Sequence, residues 1–128
     1  MHILIAHPER PFKLHVCVGV DPNVISRKLN RIRKKLYSFS KDYFDMHEHD
    51  EALTYDLVFS LPGHFVLQFR DYPDIGTLSH EVFHVVAMHM RYVNVPLTKA
   101  SEEGYAYMFS FLMQKITDEI TKHKAKDI

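Results

Sequence analysis

The chain has 128 residues, 46% hydrophobic and 25% charged, which describes one globular domain large enough to hold a core without staples. Sixteen Lys and Arg balance sixteen Asp and Glu, so the basic surplus that phosphate binding leaves is missing and nucleic acid is not expected as a partner. The single cysteine, Cys17, excludes an internal disulfide, and no run approaches the length of a membrane span, so a cytoplasmic protein is expected.

The start, MHILIAHPERPFKLH, has neither a basic leader nor a long apolar segment and reads as mature protein. Residues 2 to 6, HILIA, form a short apolar run that suggests a strand. Residues 13 to 20 alternate: Leu14, Val16, Val18 and Val20 share one face, and Lys13, His15, Cys17 and Gly19 the other. Asp21-Pro22 stops that strand, and Asn23 is a candidate cap for a helix over 23 to 39. Ile25, Leu29, Ile32, Leu36 and Phe39 line one side of that helix. Arg27, Lys28, Arg31, Arg33, Lys34 and Lys35 line the other, which reads as a solvated face balanced by acids elsewhere.

Residues 40 to 52 are polar and turn-rich. Leu53, Tyr55, Leu57, Phe59 and Leu61 then alternate with Thr54, Asp56, Val58 and Ser60, and after Pro62-Gly63 Phe65, Leu67 and Phe69 alternate with His64, Val66, Gln68 and Arg70, so a β-hairpin is expected. Two helices follow. One spans about 75 to 91, with Asp74 or Thr77 as cap and an end before Asn94-Val95-Pro96. The other spans about 101 to 123, with Ser101 as cap and Glu102 and Glu103 in its first turn. The expected fold is a single α+β domain over residues 1–128: a small, mainly antiparallel sheet, a backing helix and a two-helix unit. No repeat or linker divides it.

The first of the two late helices carries His80-Glu81-Val82-Phe83-His84, within GTLSHEVFHVV. With ten histidines in the chain, composition alone predicts roughly 0.04 such H-E-x-x-H patterns. On a helix the two histidines lie one turn apart on one face, where two imidazoles can share a metal ion. Glu81 sits about 100° round from His80, out of line to be a ligand but able to reach a water on that metal. Catalytic zinc takes three protein ligands, so a third must come from elsewhere. His89 is out of register and reads as a partly exposed helix histidine. Glu103, 19 residues after His84, is returned by the turn at Asn94 to Pro96, whereas Glu102 points about 100° away from it. The neighbours Leu78, Val82, Phe83, Val85 and Val86 imply a largely buried helix, in which two His and two Glu without a metal would be costly.

An H-E-x-x-H helix followed by a helix carrying Glu103-x-x-Ala106-Tyr107 resembles the gluzincin class of zinc metallopeptidases, in particular the minimal forms encoded by phages and prophages. The match covers residues 74 to about 112. The resemblance implies a zincin-like fold and one zinc per chain held by His80, His84 and Glu103. It also implies Glu81 as the general base that activates the zinc-bound water against a peptide or protein substrate, and the first hairpin strand as a sheet edge. Larger gluzincins place an Asp four residues after the ligand Glu, where this chain has Tyr107. They also supply an oxyanion-stabilising Tyr or His from a C-terminal subdomain. Here Tyr105, Tyr107 or His64 are candidates for that role, Tyr107 being the catalytic candidate carried forward beside Glu81. The rival function is a non-catalytic, zinc-stabilised interaction module that holds a partner through the edge strand or the basic helix. Of the other clusters, His47-Glu48-His49 reads as an acidic solvated loop, and His15 with Cys17 as a pair lacking a third ligand, Cys17 itself being small and half-buried.

Overall fold

The alternating stretch at residues 13 to 18 becomes the inner strand of a four-stranded sheet. A computed structural model describes residues 1–32, 39, 42–57 and 61–126. The elements run β1 (His2–Ala6), β2 (Lys13–Val18), α1 (Pro22–Ile32), β3 (Ala52–Asp56), β4 (His64–Phe69), α2 (Ile75–Tyr92) and α3 (Glu102–Lys126). The strand order is β1-β2-β4-β3. β1 pairs antiparallel with β2, β2 parallel with β4, and β3 antiparallel with β4. The sheet is therefore mixed. β3 starts at the end of the sheet where β2 finishes, both opposite Phe69, so β3 carries the chain back and β4 runs parallel to β2.

Helices cover both faces, so β2 and β4 are buried on both sides and not only on alternate positions. One core joins Leu14, Val16, Val18, Phe65, Leu67 and Phe69 of the sheet to Leu78, Val82, Val85, Val86 and Met90 of α2 and Met108, Leu112, Ile116 and Ile120 of α3. The other joins Cys17 and Val66 to Ile25 and Leu29 of α1 and to Phe39, Phe44 and Leu57. Cys17 is completely buried, not half-buried, because α1 closes over the face it shares with His15. Each fully buried Leu or Val in these layers contributes about 1.5–3 kcal/mol.

Local boundaries follow side-chain chemistry. Asp21, not Asn23, caps α1: its carboxylate accepts from the Asn23 N–H at 2.8 Å and its carbonyl from Val24 and Ile25. The expected continuation of α1 over 33 to 38 lies outside the described residues, and Phe39 stands outside the helix. In the hairpin, β3 ends at Asp56, earlier than the alternation suggests; residues 58 to 60 lie outside the described residues. Gly63 turns the chain with φ +83, and a Cβ there would meet the Pro11 carbonyl oxygen at 2.7 Å, so only glycine fits. Asp74 caps α2, accepting from the Thr77 N–H at 2.7 Å. α2 ends at Val93 and Asn94, the latter left-handed at φ 60, two residues before Pro96.

α2 and α3 run antiparallel. Gly104, near the start of α3, faces Met90 at the end of α2. His123, near the end of α3, meets the Tyr72 hydroxyl at 3.0 Å just before α2 begins. The Tyr105 O–H donates to the Val95 carbonyl at 2.6 Å and ties α3 to the connecting turn.

Candidate metal centre

The helical spacing in α2 brings His80 and His84 together as the sequence requires. Their Nε2 atoms lie 3.2 Å apart, with ring centroids at 4.8 Å. Two imidazoles ligating one zinc at about 2.0–2.1 Å with that separation subtend roughly 100° at the metal, near the tetrahedral angle. The donor pair therefore fits zinc. In the absence of metal the same contact is an N–H···N hydrogen bond with one ring donating.

Both rings are exposed. The buried side of α2 is made by Leu78, Val82, Val85, Val86, His89 and Met90, and the two histidines lie opposite it; Phe83 too is half exposed. Helix burial is therefore one-sided. The desolvation cost expected for metal-free histidines does not apply to this pair, and the support for a metal rests on convergence instead.

Glu81 lies between these faces and points toward the sheet. Thr54 of β3 donates its hydroxyl to the Glu81 carboxylate. This contact follows from the packing of α2 against β3, the outer strand of the hairpin. Alternation puts Thr54 on the α2 side and Leu53 and Tyr55 on the other. The first hairpin strand is a sheet edge, as expected from the resemblance.

Glu103 is exposed in the first turn of α3. Helix α2 continues for two more turns beyond His84, to Tyr92, and α3 begins at Glu102 alongside Met90. Six residues separate His84 from that level, about 9 Å of helix rise. Among the described residues no group of three or more His, Cys, Asp or Glu side chains is placed to hold a metal ion. The structure thus joins His80 and His84 and leaves Glu103 outside the pair. Glu102 is exposed beside it.

Of the oxyanion candidates, Tyr105 spends its hydroxyl on Val95. His64 lies on the α1 side of the sheet, hydrogen-bonded to His15 at 2.9 Å. Tyr107 is 56% exposed, one turn beyond Glu103, with its ring near those of His7 and Phe111.

Three further histidine arrangements emerge. His2, His15 and His64 form a chain across the sheet, with N···N contacts of 3.4 and 2.9 Å and stacked rings. Burial, reinforced by His64, His2 and Lys13, lowers the His15 pKa to about 3. The contacts use opposite nitrogens of His15, so the three rings form a relay and do not converge. His89 is wholly buried, not partly exposed. Both its nitrogens lack a hydrogen-bond partner among the described residues, and its ring stands edge-on to Phe12 and Phe65. Burial, with Arg10 and His7 nearby, lowers its pKa to about 4. His47, Glu48 and His49 are exposed in a turn that Asp50 closes onto the His47 N–H, in line with a solvated loop. Cys17 is inert as a nucleophile, its thiol pushed up to about 12 by burial.

Thr54 is the site residue that sequence reasoning missed. Alternation sets Thr54 with Asp56 on the polar side of the strand and gives no sign of a partner; only the helix–strand packing selects Glu81. No protein-family model, no curated protein and no solved structure matches the chain. No helix among the described residues is long and apolar enough to cross a membrane.

Proposed function

We propose that the protein is a zinc-dependent metallopeptidase of the minimal gluzincin type, with a zincin-like fold, one zinc per chain and a peptide or protein substrate. The observation that carries this reading is the convergence of His80 and His84 beside a glutamate anchored to an edge strand. His80 and His84 would hold the metal, and Glu103 is proposed as third ligand on its sequence spacing and the Glu103-x-x-Ala106-Tyr107 resemblance, its side chain lying outside the pair in this structure. Zinc bound there would supply Lewis acidity toward a substrate carbonyl and a water. Glu81 takes up the proton of the attacking water and passes it to the leaving amine. The Thr54 hydroxyl fixes the carboxylate rotamer for that transfer. An extended peptide adds to the open side of β3 by backbone hydrogen bonds, which places its carbonyl beside Glu81. Tyr107, whose ring stands by His7 and Phe111, is proposed for the developing oxyanion on the resemblance alone.

The test is Glu81→Gln. This variant keeps the zinc content and melting temperature of the parent and loses peptide cleavage by several orders of magnitude. A parent that cleaves, with Glu81→Gln cleaving equally well, overturns the mechanism.

A second reading is supported by the two-residue ligand set: a zinc-stabilised interaction module without catalysis. In that case neither parent nor variant cleaves a broad peptide library, and partner binding through the β3 edge or the basic side of α1 is unchanged by Glu81→Gln.

A further inference from the structure

We infer that β1 is a self-pairing edge. Two copies of the chain join β1 to β1 antiparallel, about a two-fold axis at Leu4, into one continuous eight-stranded sheet. The inference is independent of the metal site, which lies near the opposite edge.

Natural edge strands are blunted by charge, proline, bulges or a covering element, because an open row of backbone groups recruits any extended chain. β1, His-Ile-Leu-Ile-Ala, has no charged residue and no proline, and it pairs with β2 in unbroken register. Among the described residues no strand pairs with its outer side. The other edge is different: β3 ends in Asp56 and is preceded by Asp50 and Glu51.

The side chains around β1 also fit a second copy. Ile3 and Ile5 turn toward the α2–α3 core. Leu4 turns to the other face, where α1 covers Cys17 and Val66 of the inner strands, and Leu4 is 53% exposed. A two-fold axis at Leu4 stacks this exposed apolar side chain against its own copy. It sets Ile3 opposite Ile5 and His2 opposite Ala6.

On the other face, a groove of about 420 Å³ runs between Ile3–Ala6 and α3, where it is lined by Lys115 and Glu119. The axis carries the two α3 helices past each other antiparallel on the same side of the joined sheet. Opposite charges four residues apart then meet their reverse, Lys115 against the second copy's Glu119 and Glu119 against its Lys115. The present partner of Glu119, Lys122 at 3.5 Å, is an exposed i,i+3 pair of small worth and does not compete strongly. This charge pattern selects a second copy over an arbitrary peptide. A five-residue strand is only about 17 Å long, so the interface falls at the small end of the specific range and a dimer in the micromolar region is expected.

Sedimentation equilibrium in EDTA, which removes any metal bridge through the exposed histidines, tests the inference. The full chain is expected to shift from monomer to dimer between about 1 and about 500 μM. Leu4→Lys is expected to remain monomeric with an unchanged circular dichroism spectrum. Should Leu4→Lys fold poorly, Leu4→Cys gives a second reading. At the two-fold axis the paired Cα atoms lie about 4.5–5.5 Å apart, so mild oxidation links two chains through this position while buried Cys17 stays reduced. A parent monomeric at all concentrations overturns the inference. So does a dimer that neither responds to Leu4→Lys nor cross-links at Leu4→Cys, and so does a monomer that captures an unrelated extended peptide at β1.

Discussion

Thr54 on the edge strand β3 donates its hydroxyl hydrogen bond to the carboxylate of Glu81 on α2. This contact joins the strand on which a peptide would lie to the group that would accept the proton, and it fixes one carboxylate oxygen. Its removal is expected to be felt in turnover and not in metal binding. Thr54→Val keeps the shape and loses the hydroxyl. Under the proposed function kcat falls roughly tenfold with zinc content unchanged, read from steady-state peptide cleavage beside metal analysis. A variant with full kcat would show that the contact does not position Glu81.

The third ligand is discriminated by a pair of neighbours. Glu103→Gln is expected to weaken zinc binding by at least tenfold and Glu102→Gln to leave it nearly unchanged, measured by competition with a chromophoric chelator. A larger loss in Glu102→Gln reassigns the ligand. Equal retention in both leaves the metal on His80 and His84 without either glutamate.

Much of this architecture is written in local pattern. The 2.0-residue alternation marks β2 and the hairpin, Asp74 and Pro96 bracket α2, and the i,i+4 spacing alone brings His80 to His84. What the pattern does not carry is the partner across space. Alternation in β2 suggests one wet face, yet Cys17 and His15 are dry, because α1 folds back over them. The apolar residues of α2 suggest an enclosed helix, yet only one side is enclosed and the histidines lie opposite it. Glu103 is well spaced in sequence, but two extra turns of α2 beyond His84 carry the chain past the pair before α3 begins. Helix length, set by where Asn94 turns left-handed, decides that distance, and a motif count does not contain it.

Buried histidines make stability fall in acid. The His15 pKa is lowered by burial to about 3 and that of His89 to about 4, whereas the unfolded chain titrates its histidines near 6.5. Below 6.5 the unfolded state binds more protons, so the stabilisation is complete above that pH and is lost progressively as pH falls toward 4 and then 3. The melting temperature in EDTA is expected to drop by on the order of 10 °C between pH 7 and pH 4.5. His89→Phe, whose ring suits the aromatic edges of Phe12 and Phe65, is expected to flatten part of that slope. An unchanged slope would mean that His89 is not titrating as its burial requires.

Gly63 holds the hairpin turn against the loop before β2. Gly63→Ala adds a Cβ that meets the Pro11 carbonyl oxygen at 2.7 Å in a backbone of φ +83. The expected cost is about 1–3 kcal/mol, read as a lower urea midpoint with an unchanged slope. An unaffected midpoint would mean that the Pro11 segment yields without loss.

Zinc content of the purified protein and of His84→Ala, by elemental analysis after removal of loosely bound metal, tests the central claim most directly. The account predicts one zinc per chain in the parent and its loss in the variant, with a lower melting temperature, because metal bound to the folded state stabilises it by mass action. Full zinc occupancy in His84→Ala, or a parent that binds none at any accessible concentration, contradicts it.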